Sequence, residues 1–137
     1  MEGHGYDKGR LDLPFVGIST FAKREYVADW SQINADVAVL GAPFDAGTQW
    51  RSGARFGPRQ IRSESVMVRP YGMATGAAPF DSFQIADVGD VALNSFDLHK
   101  SIAIIESFYD DILGHGAKPA SVGGDHTITL PILRAIH

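Results

Sequence analysis

Residues 123–127 read Gly-Gly-Asp-His-Thr, and they stand where one short apolar run gives way to another. Gly123 and Gly124 allow the chain to turn sharply and expose the side chains that follow. A neutral imidazole is the commonest protein ligand for transition metals, and a neighbouring carboxylate can either ligate or orient the ring. His126 is therefore a candidate metal ligand, with Asp125 beside it to ligate or to orient it. The same residues also suit an ordinary helix start, with Asp125 as the cap and His126 a bystander. One histidine does not make a metal site, because three or four protein ligands are expected. The other histidines add little: His4 lies in an irregular N-terminal stretch, His99 on the polar side of a helical pattern, His115 in a turn, and His137 is the last residue. Each reads as a solvated surface residue.

The elements that must position such a site follow from the apolar pattern. Val37 to Leu40 form a continuous apolar run stopped by Gly41 and Pro43, which predicts a strand covered on both faces. Pro58 suits the first turn of a helix over 58–66, where a missing N–H costs nothing. Residues 70–82 are rich in Gly, Pro and small side chains and predict a loop. A second strand is expected within 83–91. Asp97 is a plausible cap for a helix in which Leu98, Ile102, Ile105, Phe108, Tyr109, Ile112 and Leu113 recur at helical spacing, ended by Gly114 and Gly116. A third strand is expected at 118–124. A last helix follows, and Pro131 predicts that it begins at Leu130 or Pro131. Strand and helix in alternation imply an α/β fold, a parallel sheet with helices on both faces. Ligands in such sheets bind beyond the carboxyl ends of the strands. The segments after strands one and three, "GAPFDAGTQW" and "GGDHT", occupy that rim and carry the candidate chemistry.

The bulk properties bound the rest. The 137 residues suffice for one domain, with 45% hydrophobic residues, 20% charged and a net charge of −4. That charge offers no basic surface for nucleic acid and no polybasic segment for a membrane. No apolar run approaches the ~20 residues that span a bilayer, and the N-terminus lacks an apolar signal core. Cysteine is absent, so neither a disulfide nor a thiolate site can form within the chain. A cytoplasmic protein is expected. Residues 1–34 read as an N-terminal arm and 35–137 as part of a catalytic domain.

The stretch "GGDHTITLPILRAI" resembles the first metal-ligand motif of the ureohydrolase family of arginases, agmatinases and guanidino-acid hydrolases. "GAPFDAGTQWRSGARFGPRQIRSES" is similar to that family's N-terminal signature loop. "SVMVRPYGMATGAAPFDS" and "ILGHGAKP" are most similar to its guanidinobutyrase branch. The resemblance implies an arginase-like three-layer α/β sandwich with a mainly parallel sheet. It also implies a site with two divalent metal ions, Mn²⁺ first and Ni²⁺ as the alternative, at which an activated water attacks a guanidinium carbon and releases urea. His126 matches a metal-ligating histidine and Asp125 the acid that supports it. Asp45, Gln49 and Trp50 lie in the loop at the site mouth, as substrate-binding candidates or as loop structure. Arg51, Arg55, Arg59 and Arg62 suit either carboxylate binding or a structural role, at an interface or bracing the loop by fixed bidentate pairing, and the structural role is preferred.

The family's remaining ligands, an Asp-x-His-x-Asp motif and a later Asp-x-Asp motif, have no counterpart here. The sequence is therefore expected to be the N-terminal part of a longer enzyme, truncated after the first metal motif, with no catalytic residue of its own and no activity alone. The expected partners are a small guanidino substrate and further copies of the chain, as a trimer or hexamer. The expected substrate is a short linear guanidino acid, whose carboxylate Gln49, Trp50 or Arg51 could receive. The alternatives are agmatine, guanidine or dimethylguanidine-type compounds, including metformin-like ones, and a non-catalytic partner subunit of an active paralogue. A nucleotide-binding domain is disfavoured, since "GAPFDAG" has neither the spacing of a dinucleotide loop nor a Gly-Lys-Ser/Thr for phosphate.

Overall fold

The structure is a computed structural model and describes residues 13–137. A four-stranded, wholly parallel sheet forms its middle layer, built from β1 (Glu25–Tyr26), β2 (Val37–Ala42), β3 (Ile85–Asp90) and β4 (Lys118–Gly123) in the spatial order β1-β3-β2-β4. The helices are α1 (Gly57–Ser65), α2 (Pro79–Ser82), α3 (Leu98–Gly114) and α4 (Thr129–Ile136). The chain leaves β2 for β3 on one side and then crosses back over β2 to reach β4. Right-handed connections running in opposite directions put α1 and α3 on opposite faces, so the sheet is sandwiched between helical layers.

Side-chain alternation along β2 agrees. Ala38, Leu40 and Ala42 bury into a core with Ile105, Tyr109 and Ile112 of α3 and with Ile128. Complete burial of side chains such as Leu40 and Ile112 contributes about 1.5–3 kcal/mol each. The spacing of Ser101, Ile105, Tyr109 and Ile112 gives α3 one buried stripe. Tyr109 keeps its polar tip satisfied by donating to Ser121 Oγ at 2.7 Å. Asp97 caps α3 as the sequence predicts, accepting from the Lys100 N–H. On the opposite face, a side chain at Gly41 would collide with Pro58 of α1 and with Asp90, so the strand continues through this glycine rather than stopping at it.

Two expectations are corrected. The last helix does not wait for Pro131: a 3₁₀ turn over His126–Ile128 runs directly into α4 at Thr129. Pro131 sits in the first turn of α4, where N–H groups have no partner within the helix, so the ring removes nothing. The stretch 70–82 is not all loop, because α2 forms at its end with Pro79 in the first turn.

Residues 1–12 of the expected arm, including His4, lie outside the described residues. Residues 13–34 run along the domain itself. Glu25 and Tyr26 add β1 to the edge of β3, the N–H groups of Phe21 and Ala22 donate to Asp87 Oδ2 and Ser65 Oγ, and Trp30 donates to the Val88 carbonyl while meeting Phe108 edge-on at 4.5 Å. Among the described residues no helix is long and apolar enough to cross a membrane.

Candidate functional site

β2 and β4 are neighbours, yet the segment after β2 leads to α1 on one face and the segment after β4 leads to α4 on the other. The crevice between two such carboxyl ends is the ligand-binding position of open parallel sheets. The structure brings the two candidate segments together there.

On the β4 side, Gly124 has φ +78, and a Cβ there would collide with the carbonyl oxygens of Ala42 and Phe44. Only glycine permits so close a crossing. Asp125 follows. Its N–H donates to the Phe44 carbonyl at 2.7 Å. Its carboxylate accepts from the Thr127 N–H and from the Gly47 N–H, both at 2.8 Å. The first bond caps the turn that begins at His126, and the second crosses to the β2 loop. The carboxylate makes no hydrogen bond to the imidazole. His126 is exposed at the rim and its imidazole makes no hydrogen bond with another described residue, while buried Ile128 anchors its turn. No group of three or more His, Cys, Asp or Glu among the described residues could hold a metal ion. This segment thus supplies a single free imidazole donor, which fits one ligand of a metal site and not a complete set.

On the β2 side, Asp45 is 5% exposed. Its Oδ2 accepts from the Gly53 N–H at 2.8 Å, and its Oδ1 receives Arg55 Nε at 2.8 Å and Nη2 at 2.7 Å. The Arg55 guanidinium and the Gly53 N–H hold the Asp45 carboxyl down at about 2, against the smaller upward push of burial. The carboxylate thus closes residues 45–55 into a loop. Gln49 and Trp50 lie at its outer end, Trp50 being 86% exposed. A small recess of about 60 Å³ opens between Phe44, Asp45 and Arg55 and the residues Leu93 and Ser95 after β3.

Of the four arginines, Arg55 and Arg62 act as braces, and Arg51 and Arg59 are exposed. Arg62 reaches from α1 to β3. Its Nε and Nη2 meet the two oxygens of Asp87 at 2.7 and 3.0 Å, Nη1 meets Asp90 at 2.6 Å, and Nη2 also donates to the Gly89 carbonyl. Burial pushes the Asp87 carboxyl up, but the guanidinium and the N–H groups of Phe21 and Gly89 outweigh it and hold it below the ordinary carboxylate range. The sequence reading missed Asp87. Its signal was an acid inside an apolar strand, "IADVGD", which cannot be buried without a partner. His99, His115 and His137 are exposed, as expected.

The family model described as "Arginase family" matches residues 35–137. A guanidinobutyrase of Pseudomonas aeruginosa is 60% identical over 130 residues, covering 93% of this chain and 41% of that protein. The mitochondrial agmatinase of Gallus gallus is 55% identical over 101 residues, covering 74% of this chain and 30% of that protein. The solved structure of proclavaminate amidino hydrolase from Streptomyces clavuligerus superposes with a TM-score of 0.79 at 37% identity, covering 90% of this chain and 40% of that one. The chain spans about two fifths of the length of the guanidinobutyrase.

Proposed function

We propose, from the premise that the chain belongs to the arginase family, that the protein containing it hydrolyses a linear guanidino compound to urea and an amine. The observation that carries this reading is the placement of "GGDHT" at the β2/β4 crevice, with the free His126 imidazole beside the loop that bears Gln49 and Trp50. A guanidinium is resonance-stabilised and its amine leaves poorly, so the reaction needs a strong nucleophile and a proton for the leaving group. A pair of divalent ions, manganese or nickel, would supply the nucleophile by acidifying a shared water at neutral pH. His126 would hold one of them; the remaining ligands, and the acid that grips the guanidinium, would come from outside this chain. Asp125 and Asp45 fix the rim around that imidazole. Gln49 and Trp50 face the substrate's far end. Cytoplasmic placement and a trimeric or hexameric assembly belong to the same proposal, the assembly resting on the family resemblance.

The 60% identity to a guanidinobutyrase supports a short guanidino acid as substrate ahead of agmatine. A carboxylate tail suits the N–H donors of Gln49, Trp50 or Arg51, whereas the ammonium of agmatine would face groups of the wrong polarity. The test is urea release by the intact protein with 4-guanidinobutyrate, agmatine, guanidine and dimethylguanidine under manganese or nickel. The expected order puts 4-guanidinobutyrate first in kcat/KM. Preference for agmatine or the tailless guanidines would defeat the substrate assignment, and no urea from any of them would defeat the activity.

A further inference from the structure

We infer that Asp125 is a positioning residue which seats the 45–55 loop against the His126 turn, and so sets recognition of the substrate's tail rather than the orientation of the imidazole. This rests on the hydrolase reading above for its functional consequence, but its structural content is independent. Three contacts join residue 125 to the β2 segment. The Asp125 N–H donates to the Phe44 carbonyl, Asp125 Oδ2 accepts from the Gly47 N–H, 78 residues away in sequence, and Gly47 packs flush on the pair. A Cβ at Gly47 would collide with Thr127 Oγ1 and come within 3.0 Å of Asp125 Oδ2, so a larger residue could lie this close only if the Thr127 hydroxyl or the loop moved. The other oxygen, Oδ1, is held by the Thr127 N–H. Both oxygens are thus aimed at backbone N–H groups, one on each side of the crevice.

The loop is braced twice. Asp45 closes it internally through Gly53 and Arg55, and Asp125 fixes it externally to β4. A loop held at both places would keep Trp50, exposed at its outer end, at a set distance from the His126 turn. A group that contacts the far end of a substrate must stand at such a fixed distance from the reacting end, because misplacement is costly in binding and orientation. The bracket is therefore a ruler between the two ends of the substrate, and Asp125 is its fastening.

Two variants of the intact protein approach the same contact from opposite sides. Asp125→Asn replaces one acceptor oxygen by an NH₂ group and leaves one of the two N–H groups without a partner. Gly47→Ala keeps Asp125 and the metal-motif turn and pushes the loop away, at a position whose backbone is not left-handed. Hydrogen exchange of the 45–55 peptide should speed up in both variants while the metal content of each stays that of the wild type. KM for 4-guanidinobutyrate should rise roughly tenfold, the factor expected for one lost charge-assisted hydrogen bond, while kinetics with tailless guanidine change far less. Unchanged exchange in 45–55, or loss of metal in Gly47→Ala, would overturn the assignment. So would an equal KM effect on tailed and tailless substrates. Wild-type protein that releases no urea would defeat the hydrolase reading, and the exchange measurement would still decide the bracket.

Discussion

Two aspartate–arginine pairs brace this domain, and they do different work. Asp45–Arg55 lies at the rim, with the Arg55 side chain 51% exposed and that of Asp45 2%; Asp87–Arg62 lies between α1 and β3, with side chains 15% and 1% exposed. Both use the guanidinium fork, and both hold a carboxyl below its ordinary range. The rim pair shapes one loop. The inner pair joins α1, β3 and, through the Phe21 N–H, the segment that precedes the sheet. Both carboxylates are buried, so the contrast lies in the arginines: Arg55 is half in water and serves one loop, whereas Arg62 lies beneath a helix and also holds Asp90 and the Gly89 carbonyl.

The largest effect expected from breaking this contrast is at the inner pair. Arg62→Ala leaves the Asp87 carboxylate buried and uncompensated and should cost about 3–5 kcal/mol, read as a lower midpoint in urea unfolding of the intact protein. Arg62→Lys keeps the charge, loses the fork and should fall between the wild type and Arg62→Ala. Arg55→Ala strands a buried carboxylate too, but at the rim, and should lower the same midpoint less than Arg62→Ala while raising KM several-fold through the loosened loop, a shift of about 1 kcal/mol in substrate binding. Equal midpoints for Arg55→Ala and Arg62→Ala would show that burial does not separate the two pairs.

Acid gives a smaller and more graded test. A carboxyl whose folded pKa is depressed contributes stability that is complete above its unfolded pKa and is lost as pH falls through the folded one. For Asp45 the window runs from about 4, the unfolded carboxylate value, down to about 2. Asp87 loses its contribution in the same direction. Unfolding midpoints should therefore fall between about pH 4 and pH 2, and fall less in Arg62→Ala, where the Asp87 pairing is already gone.

The legibility of the chain divides along the same line. Features fixed by neighbours in sequence could be read from it: the Asp97 cap, the buried stripe of α3 and the apolar strand at β2. So could the position of His126 at a strand end, because glycine pairs and strand termini are local signals. Features fixed by distant partners could not. Nothing near Asp125 in sequence says that its second oxygen meets Gly47, nothing near Asp87 names Arg62, and the N–H of Phe21 gives no sign of its use. Pro131 misled because a proline interrupts a helix interior yet is harmless in a first turn, and the helix start depends on Asp125 capping a turn five residues upstream of Leu130.

We propose the β2/β4 crevice as the reaction site and His126 as its metal ligand from this chain. The direct measurement is metal content by elemental analysis, together with urea release, for intact wild type, His126→Ala and His99→Ala. His126→Ala should lose metal and at least a hundredfold in turnover, as expected when a ligand itself is removed, while His99→Ala should match the wild type in both. Full metal content and full turnover in His126→Ala would contradict the claim.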